Sequence, residues 1–245
     1  MRLSNEVLAV LDRLAIDGRA VTITSQLDRG LYENVNKALV ALGGKWNRSA
    51  RAHLFPDDPS DAIENAQMTG MVVDLKKAYD FFETPPSVVD ALLGDACIPE
   101  GSVSILEPSA GRGAIAGAIR THYPKAKLQV CELMPENRGF LMRHQFEVIG
   151  DDFLKLHGKR FDRIVMNPPF SKQQDVDHVL HAHSLLASHG ILAAVMAAGI
   201  TFRDNAKTNL LKSLIKGRGR IDPLPEGSFK VSGTAVNTVI VQLRR

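Results

Sequence analysis

The stretch Asn167-Pro168-Pro169-Phe170 brings together residue types that can act on a planar amine. An aromatic amine is a poor nucleophile, because its lone pair is delocalised into the ring. Two hydrogen-bond acceptors aimed at its two N–H bonds draw the nitrogen toward tetrahedral geometry and free that pair for attack. The side-chain oxygen of Asn167 and the carbonyl of Pro168, held by two prolines of fixed φ, can supply those acceptors. Phe170 offers a flat face for an unstacked base, with Pro169 on the same substrate side. The chemistry suited to this pattern is alkylation of an amine such as the exocyclic N6 of adenine. An Asn-Pro turn that only closes a strand is the plainer alternative.

The elements around the motif are predicted to hold it in place. It follows Phe161 to Met166, whose apolar Ile164-Val165-Met166 run reads as a buried strand. That puts the motif at a strand's carboxyl end, where open α/β sheets carry their sites. Strands are predicted at 103–107, 128–132, 163–166 and 190–196, with helices at 114–121, 135–143, 176–187 and 208–216. This alternation implies a doubly wound, Rossmann-like α/β sheet, mostly parallel and covered on both faces. A strand pair within 229–243, turning at Ser232-Gly233, would close it with an antiparallel strand. Residues 1–55 read differently: a helix at 5–14, a strand at 21–24, a helix at 32–42, a Gly43-Gly44 break and a hairpin through Phe55. With Pro56-Asp57-Asp58-Pro59-Ser60 as a linker, the expected organisation is a small α+β module at 1–58 and a main domain at 70–245.

The chain has 245 residues, 44% hydrophobic and 23% charged, so it can bury a substantial core. No apolar run approaches the ~20 residues of a membrane-spanning helix. Asp12, Arg13, Asp17 and Arg19 interrupt any signal-peptide pattern, so a cytoplasmic enzyme is expected. Cys97 and Cys131 imply no disulfide framework and read as reduced core residues. The net charge of +3 matters less than where the cations cluster. Residues 34–55 hold Lys37, Lys45, Arg48 and Arg51 with Trp46 and no acid. Residues 203–220 hold Arg203, Lys207, Lys212, Lys216, Arg218 and Arg220 against Asp204 alone. Both could neutralise phosphates, and Lys45, Trp46, Arg48 and Arg51 are the candidate nucleic-acid contacts of the N-terminal module. A solvated helix face is the plain reading of the second segment. His178, His181 and His183 lack cysteines or paired acids at ligand spacing, so they read as a solvated helix face and no metal is expected. Asp175 and Asp177 read as helix starters.

Glu107-Pro108-Ser109-Ala110-Gly111-Arg112-Gly113 follows the first strand of the alternation. Its small residues let the backbone approach a ligand closely. Taken alone, this loop suits a nicotinamide enzyme equally well. The same holds for Glu132, whose carboxylate at the next strand end could accept from ribose hydroxyls. The Asn-Pro-Pro-Phe motif has no part in hydride transfer, and the Pro108-Ser109 lead-in is unlike a dinucleotide loop.

Taken together, these motifs resemble the class I S-adenosylmethionine-dependent amino-methyltransferases, above all the DNA adenine-N6 enzymes of gamma motif order. Residues 82–90, beginning Phe82-Glu83-Thr84-Pro85-Pro86, resemble motif X, and Glu107 to Ala116 motif I. Glu132 matches the acid of motif II, Asp151-Asp152-Phe153-Leu154 resembles motif III, and Asn167 to Phe170 is motif IV. The segment from Gly227 through Phe229 to Val241 resembles motif VIII and the last strand pair. The likeness spans residues 80–243.

The resemblance implies S-adenosylmethionine as cofactor. Thr84 and Pro85 would touch its methionine portion, Glu107, Ser109, Ala110 and Gly111 would line its path, and Glu132 would bind the ribose. Asp152, rather than Asp151, would accept from the cofactor's adenine amine, with Phe153 beside that ring. Asn167, Pro168 and Phe170 would be catalytic, with Pro169 and Phe229 on the substrate. Transfer would be direct and in line, without a covalent cysteine intermediate or a metal. Related motifs also occur in enzymes that methylate RNA adenine and release-factor glutamine amides; motif X and the basic segments favour DNA. A silent anti-restriction binding protein is a further alternative, against which the intact motif argues. Only 58 residues separate Phe170 from Phe229, which leaves little to read bases and predicts a short or relaxed target site. A phage, plasmid or restriction-linked setting fits.

Overall fold

Side-chain caps set the starts of the first two helices of the chain. In the computed structural model, which describes residues 1–56, 58–72, 83–232 and 236–245, Ser4 accepts from Val7 N at the start of α1 (Asn5–Leu11). Asp28 accepts from Leu31 N at 3.0 Å and so starts α2 (Arg29–Ala41). Four short strands, β1 (Ala15–Asp17), β2 (Ala20–Thr22), β3 (Lys45–Asn47) and β4 (Ala52–Leu54), pair antiparallel in the order β1-β2-β4-β3. Helix α3 (Ser60–Thr69) ends at a left-handed Gly70. Val7, Leu11, Val21, Val35, Leu39 and Phe55 form the centre of this unit's core.

Two expectations change here. The compact unit runs from Met1 to Phe81, not to residue 58. From Ser60, the last residue of the predicted linker, the chain forms α3, which the sequence reading did not assign; its Ile63 and Ala66 lie three apart and bury one helix face in the core. The predicted first helix also stops early. Gly18, at φ 53, turns β1 back onto β2, and the pairing with Ala20 to Thr22 outcompetes helix continuation.

The second unit, Phe82–Arg245, follows the predicted alternation. Its elements are α4 (Pro86–Ala96), β5 (Ser104–Glu107), α5 (Ala114–His122), β6 (Lys127–Cys131), α6 (Pro135–Arg143), β7 (Glu147–Gly150) and β8 (Phe161–Met166). Then come α7 (Gln174–Ser184), β9 (Leu186–Ala197), α8 (Ala206–Arg218), β10 (Gly219–Pro223) and β11 (Thr238–Arg244). The seven strands lie in the order β10-β11-β9-β8-β5-β6-β7. β5 to β9 run parallel, while β11 is antiparallel to both β9 and β10. The strand order reverses between β5 and β8, which defines the topological switch point. Period-two alternation assigns the faces: Ile164, Met166, Leu192 and Ala194 join the core under α7 and α8. Val165, Ala193 and Val195 join the core under α4 and α5.

The terminal pair differs from expectation. β11 finds its hairpin partner in β10, not in residues near 229. Phe229 lies in a turn and is fully buried, and the predicted turn residue Gly233 falls outside the described residues. The pairing brings the two strands close at Gly219. Its φ of −159 is ordinary extended backbone, but a Cβ there would lie 2.1 Å from the Gln242 carbonyl oxygen. We expect Gly219→Ala to destabilise this unit by roughly 1–3 kcal/mol, read as a lower denaturation midpoint. An unchanged midpoint would show that β10 can move away from β11 without loss. The cysteines also divide. Cys131 is buried, but Cys97 is exposed, because it occupies the left-handed C-cap of α4, outside the helix's apolar stripe.

Candidate active site

Four adjacent parallel strands end at one edge of the sheet, and each delivers a predicted site residue there. Glu107 closes β5, Glu132 follows β6, Asp152 follows β7 and Asn167 follows β8. A fifth contribution comes from the segment before α4. Thr84, buried, accepts a 3.0 Å hydrogen bond from the Asn167 amide nitrogen. That bond engages the donor end of the amide, so the oxygen end carries the acceptor capacity of the side chain. Pro85 is the N-cap of α4 and Pro86 its first residue, so the Thr84 backbone leads into a fixed helix start. Phe82, the first residue of the resembled motif, is outside the described residues.

Pro168 is buried, while Pro169 and Phe170 are half-buried. The Phe170 ring meets Phe229 edge-on, with centroids 6.2 Å apart at 86°. Phe229 is fully buried, so it supports Phe170 from beneath and does not itself present a surface to a substrate. Immediately after the motif, Lys172 and Gln173 both adopt left-handed backbone, at φ 51 and 61. Two consecutive non-glycine residues in that region cost about 1–2 kcal/mol each. The Gln173 side-chain oxygen offsets part of this by accepting from Asn205 Nδ2 at 3.0 Å and Thr208 Oγ1 at 3.1 Å. Sequence reasoning missed this brace, and neither residue type signals it.

Glu132 organises the glycine loop. Its Oε2 accepts from Gly111 N at 2.6 Å and its Oε1 from Met134 N at 2.8 Å. Gly111 and Gly113 take φ of 55 and 80, which only glycine adopts without strain. Ser109 is half-buried, whereas Ala110 is buried and packs against Ala116, Val130 and Leu141. Any ligand therefore meets Ala110 through its backbone alone.

Glu107 is 1% exposed, and its Oε2 has no hydrogen-bond partner among the described residues. Burial pushes its carboxyl well above the ordinary range, opposed by a backbone hydrogen bond from Ala116 and reinforced by the charge of Glu132. With its folded-state pKa above the unfolded value, Glu107 contributes stability below the ordinary carboxylate range and loses it as pH rises through the folded value. Leaving a buried polar atom unpaired costs about 1–3 kcal/mol. Glu107→Gln is therefore expected to stabilise the ligand-free second unit at pH 8 and to lose that advantage near pH 4. Thermal melts of both proteins across this range check it, and a pH-independent difference would sink it.

The remaining predicted residues divide. Asp152 accepts from Leu154 N at 3.1 Å and pairs with Lys155 at 3.1 Å, and it keeps partial exposure. Phe153 is 3% exposed, with His181 edge-on at 4.9 Å and His178 at 5.6 Å, so its ring lies in the core rather than at the surface. This corrects the reading of the histidines as a solvated face. His178 is buried, its pKa pushed down by burial, and His181 Nε2 bonds Leu156 O at 3.0 Å. Asp175 does more than start a helix. It is buried and accepts from Ala197 N at 3.0 Å, tying α7 to the carboxyl end of β9. Its position beside apolar Val176 was the available signal. In the basic segment 203–220, Lys207 pairs with Asp177 at 2.6 Å and Arg220 with Asp95 and Asp222. These two cations are engaged within the protein, while Lys216 and Arg218 are exposed.

In the first unit, the β3–β4 hairpin gathers Lys45, Trp46, Arg48 and Arg51, all exposed. Trp46 is 48% exposed, and its ring meets His53 edge-on at 5.2 Å.

Comparison with known proteins accords with this geometry. Residues 96–216 match the family described as methyltransferase small domain. The chain contains a methyltransferase domain. Over 101 residues it is 31% identical to the modification methylase CviBIII of Paramecium bursaria Chlorella virus NC1A, covering 39% of this chain and 27% of that relative. The chain thus spans about a quarter of that relative's length. Among solved structures, the type I restriction-modification methyltransferase subunit of Streptococcus thermophilus superposes with a TM-score of 0.59 at 18% identity, over 67% of this chain and 45% of that one. A putative class I S-adenosylmethionine-dependent methyltransferase of Listeria monocytogenes gives 0.52 at 16% identity, over 98% and 87%. The methyltransferase domain shares their fold. No helix among the described residues is long and apolar enough to cross a membrane.

Proposed function

We propose that this protein transfers the methyl group of S-adenosylmethionine to the exocyclic N6 amine of adenine in DNA, at short or relaxed target sites. The observation that carries this reading is Asn167-Pro168-Pro169-Phe170 at the end of β8, with the Asn167 amide held by Thr84. The modification methylase among the relatives supports a nucleic-acid substrate.

The cofactor of the domain is S-adenosylmethionine. The residues fit it: the buried Glu107 oxygen beside the glycine loop, without a partner among the described residues, suits a ligand that brings positive charge. Thr84, Pro85, the Ser109–Gly111 backbone, Glu132 and Asp152 would hold it, with the Phe153 ring packed beneath. When bound, it supplies an electrophilic methyl on a sulfonium. The Asn167 oxygen and the Pro168 carbonyl accept the two N–H bonds of the target amine and raise its nucleophilicity. Phe170 carries the extruded base on its ring, steadied by Phe229 from below. Pro169 limits the space around the base. These groups act by alignment and by preformed acceptors, and no covalent intermediate on the chain is needed.

In this reading the β3–β4 hairpin of the first unit contributes affinity through Lys45, Arg48 and Arg51, with Trp46 available for stacking. Phosphate contacts hold DNA without carrying sequence information. Methylation of duplex DNA, RNA and release-factor protein side by side, followed by nucleoside analysis, tests the substrate class; transfer to protein alone overturns it. Long-read mapping of exposed DNA is expected to return a short or degenerate motif. A single motif of five or more defined bases would contradict the relaxed specificity.

A further inference from the structure

The opposite end of the seven-stranded sheet holds a cavity of about 600 Å³. Ser104, Lys127, Glu147 and Phe161 line it, and they are the first residues of β5, β6, β7 and β8. Those strands are parallel, and their far ends carry Glu107, Glu132, Asp152 and Asn167. A whole strand length therefore separates the cavity from the methyl-transfer site, and the one is not an extension of the other. Doubly wound sheets ordinarily bind ligands at the carboxyl ends of their strands, so this position is unusual for a concave site.

The lining has a distinctive chemistry. Arg120, Lys127, Lys159 and Arg160 bring four cations against one carboxylate, Glu147, which already accepts from Gln129 Nε2. Asp162, next to the lining residue Phe161, is occupied by Ser104, accepting from its backbone N at 2.9 Å and its hydroxyl at 2.6 Å. The rest of the lining is largely apolar and partly aromatic, with Tyr123, Leu128 and Phe146 beside the uncharged side chains of Ser104, Gln129 and Gln145. Arg120 is already fixed there, its guanidinium 4.0 Å from the Phe146 ring centroid and its Nη1 donating to His144 O at 2.7 Å. A surface that only tracked a phosphate backbone would need the cations but not the apolar floor. The volume lies within the range of ~300–1,000 Å³ typical of small-ligand sites.

We propose that this cavity binds a nucleoside phosphate. The base lies against Tyr123 and Leu128, and the phosphate sits among Lys127, Lys159 and Arg160. The nucleotide comes either free from solution or as one unit of a single strand. This proposal does not depend on the reaction assigned to the other end of the sheet.

Titrations of the full chain saturated with S-adenosylhomocysteine test it, because that ligand fills the adenosine position of the methyl-transfer site. The probes are adenosine 5′-monophosphate, inorganic phosphate and a single-stranded pentadeoxynucleotide. Adenosine monophosphate is expected to bind, and the charge reversals Lys127→Glu with Arg160→Glu to weaken it at least ~10-fold, since a like-charge juxtaposition costs several kcal/mol. Both residues are exposed, so the fold and the S-adenosylhomocysteine affinity should survive. If the pentadeoxynucleotide binds and shows the same sensitivity, the source includes nucleic-acid strands; if only the mononucleotide does, the source is free nucleotide. Binding of neither probe, binding indifferent to both reversals, or inorganic phosphate binding as tightly as the mononucleotide would overturn the proposal.

Discussion

Replacing Asn167 with alanine is expected to lower methyl transfer by at least about 100-fold while leaving affinity for S-adenosylmethionine within a few-fold. The amide nitrogen donates to Thr84 Oγ1 at 3.0 Å, so the oxygen is the accepting end of the amide. An acceptor that strengthens as the amine becomes tetrahedral acts on the transition state more than on bound substrate. Single-turnover rates should therefore fall with little change in substrate KM. The flanking backbone is held by Pro168 and Pro169 and by the Gln173 brace, so the loop should survive truncation of the side chain. Calorimetry with cofactor alone separates the two roles. Loss of cofactor binding in parallel with activity would mean that Asn167 serves the cofactor instead.

Glu132→Ala should show the reverse pattern. Its two oxygens accept from Gly111 N and Met134 N within a buried setting, and hydrogen bonds to a charged group contribute about 1.5–3 kcal/mol each. Their loss frees a glycine loop whose left-handed residues have no side chains to lock them. Even if only about 2 kcal/mol of this reaches ligand binding, the Kd for S-adenosylmethionine rises roughly 30-fold. Turnover at saturating cofactor should fall much less. A Kd unchanged from the parent protein would show that the loop is set by its own turn geometry and that Glu132 is dispensable.

The elements legible in the sequence are those that bury both faces. The carboxyl-terminal stretches of β8 and β9, Ile164 to Met166 and Ile191 to Ala197, are unbroken apolar runs, so both strands could be placed from the sequence. β7 and β10 escaped because they are sheet edges. Edge strands bury little and tolerate charge, and Gly219-Arg220-Ile221-Asp222-Pro223 carries two charged residues, a glycine and a proline. Its strand state comes from pairing with β11, a partner that no local pattern names. In the same way, α3 went unassigned after the predicted linker, and it is settled by Ile63 and Ala66 meeting the core of the first unit.

Chemistry divides along the same line. Residue type and order alone marked the candidate acceptors in Asn167-Pro168, the carboxylates Glu107 and Glu132 and the glycine loop, because each sits where a strand visibly ends. Only the tertiary structure decided how they are held. It joined Thr84 to Asn167, turned Glu132 onto Gly111, sank Phe229 and Phe153 into the core, and opened a cationic cavity at the far end of the sheet. Side-chain periodicity is a local property that the chain carries within a few residues. Hydrogen bonds and cavities between residues tens of positions apart exist only once the strand order is set.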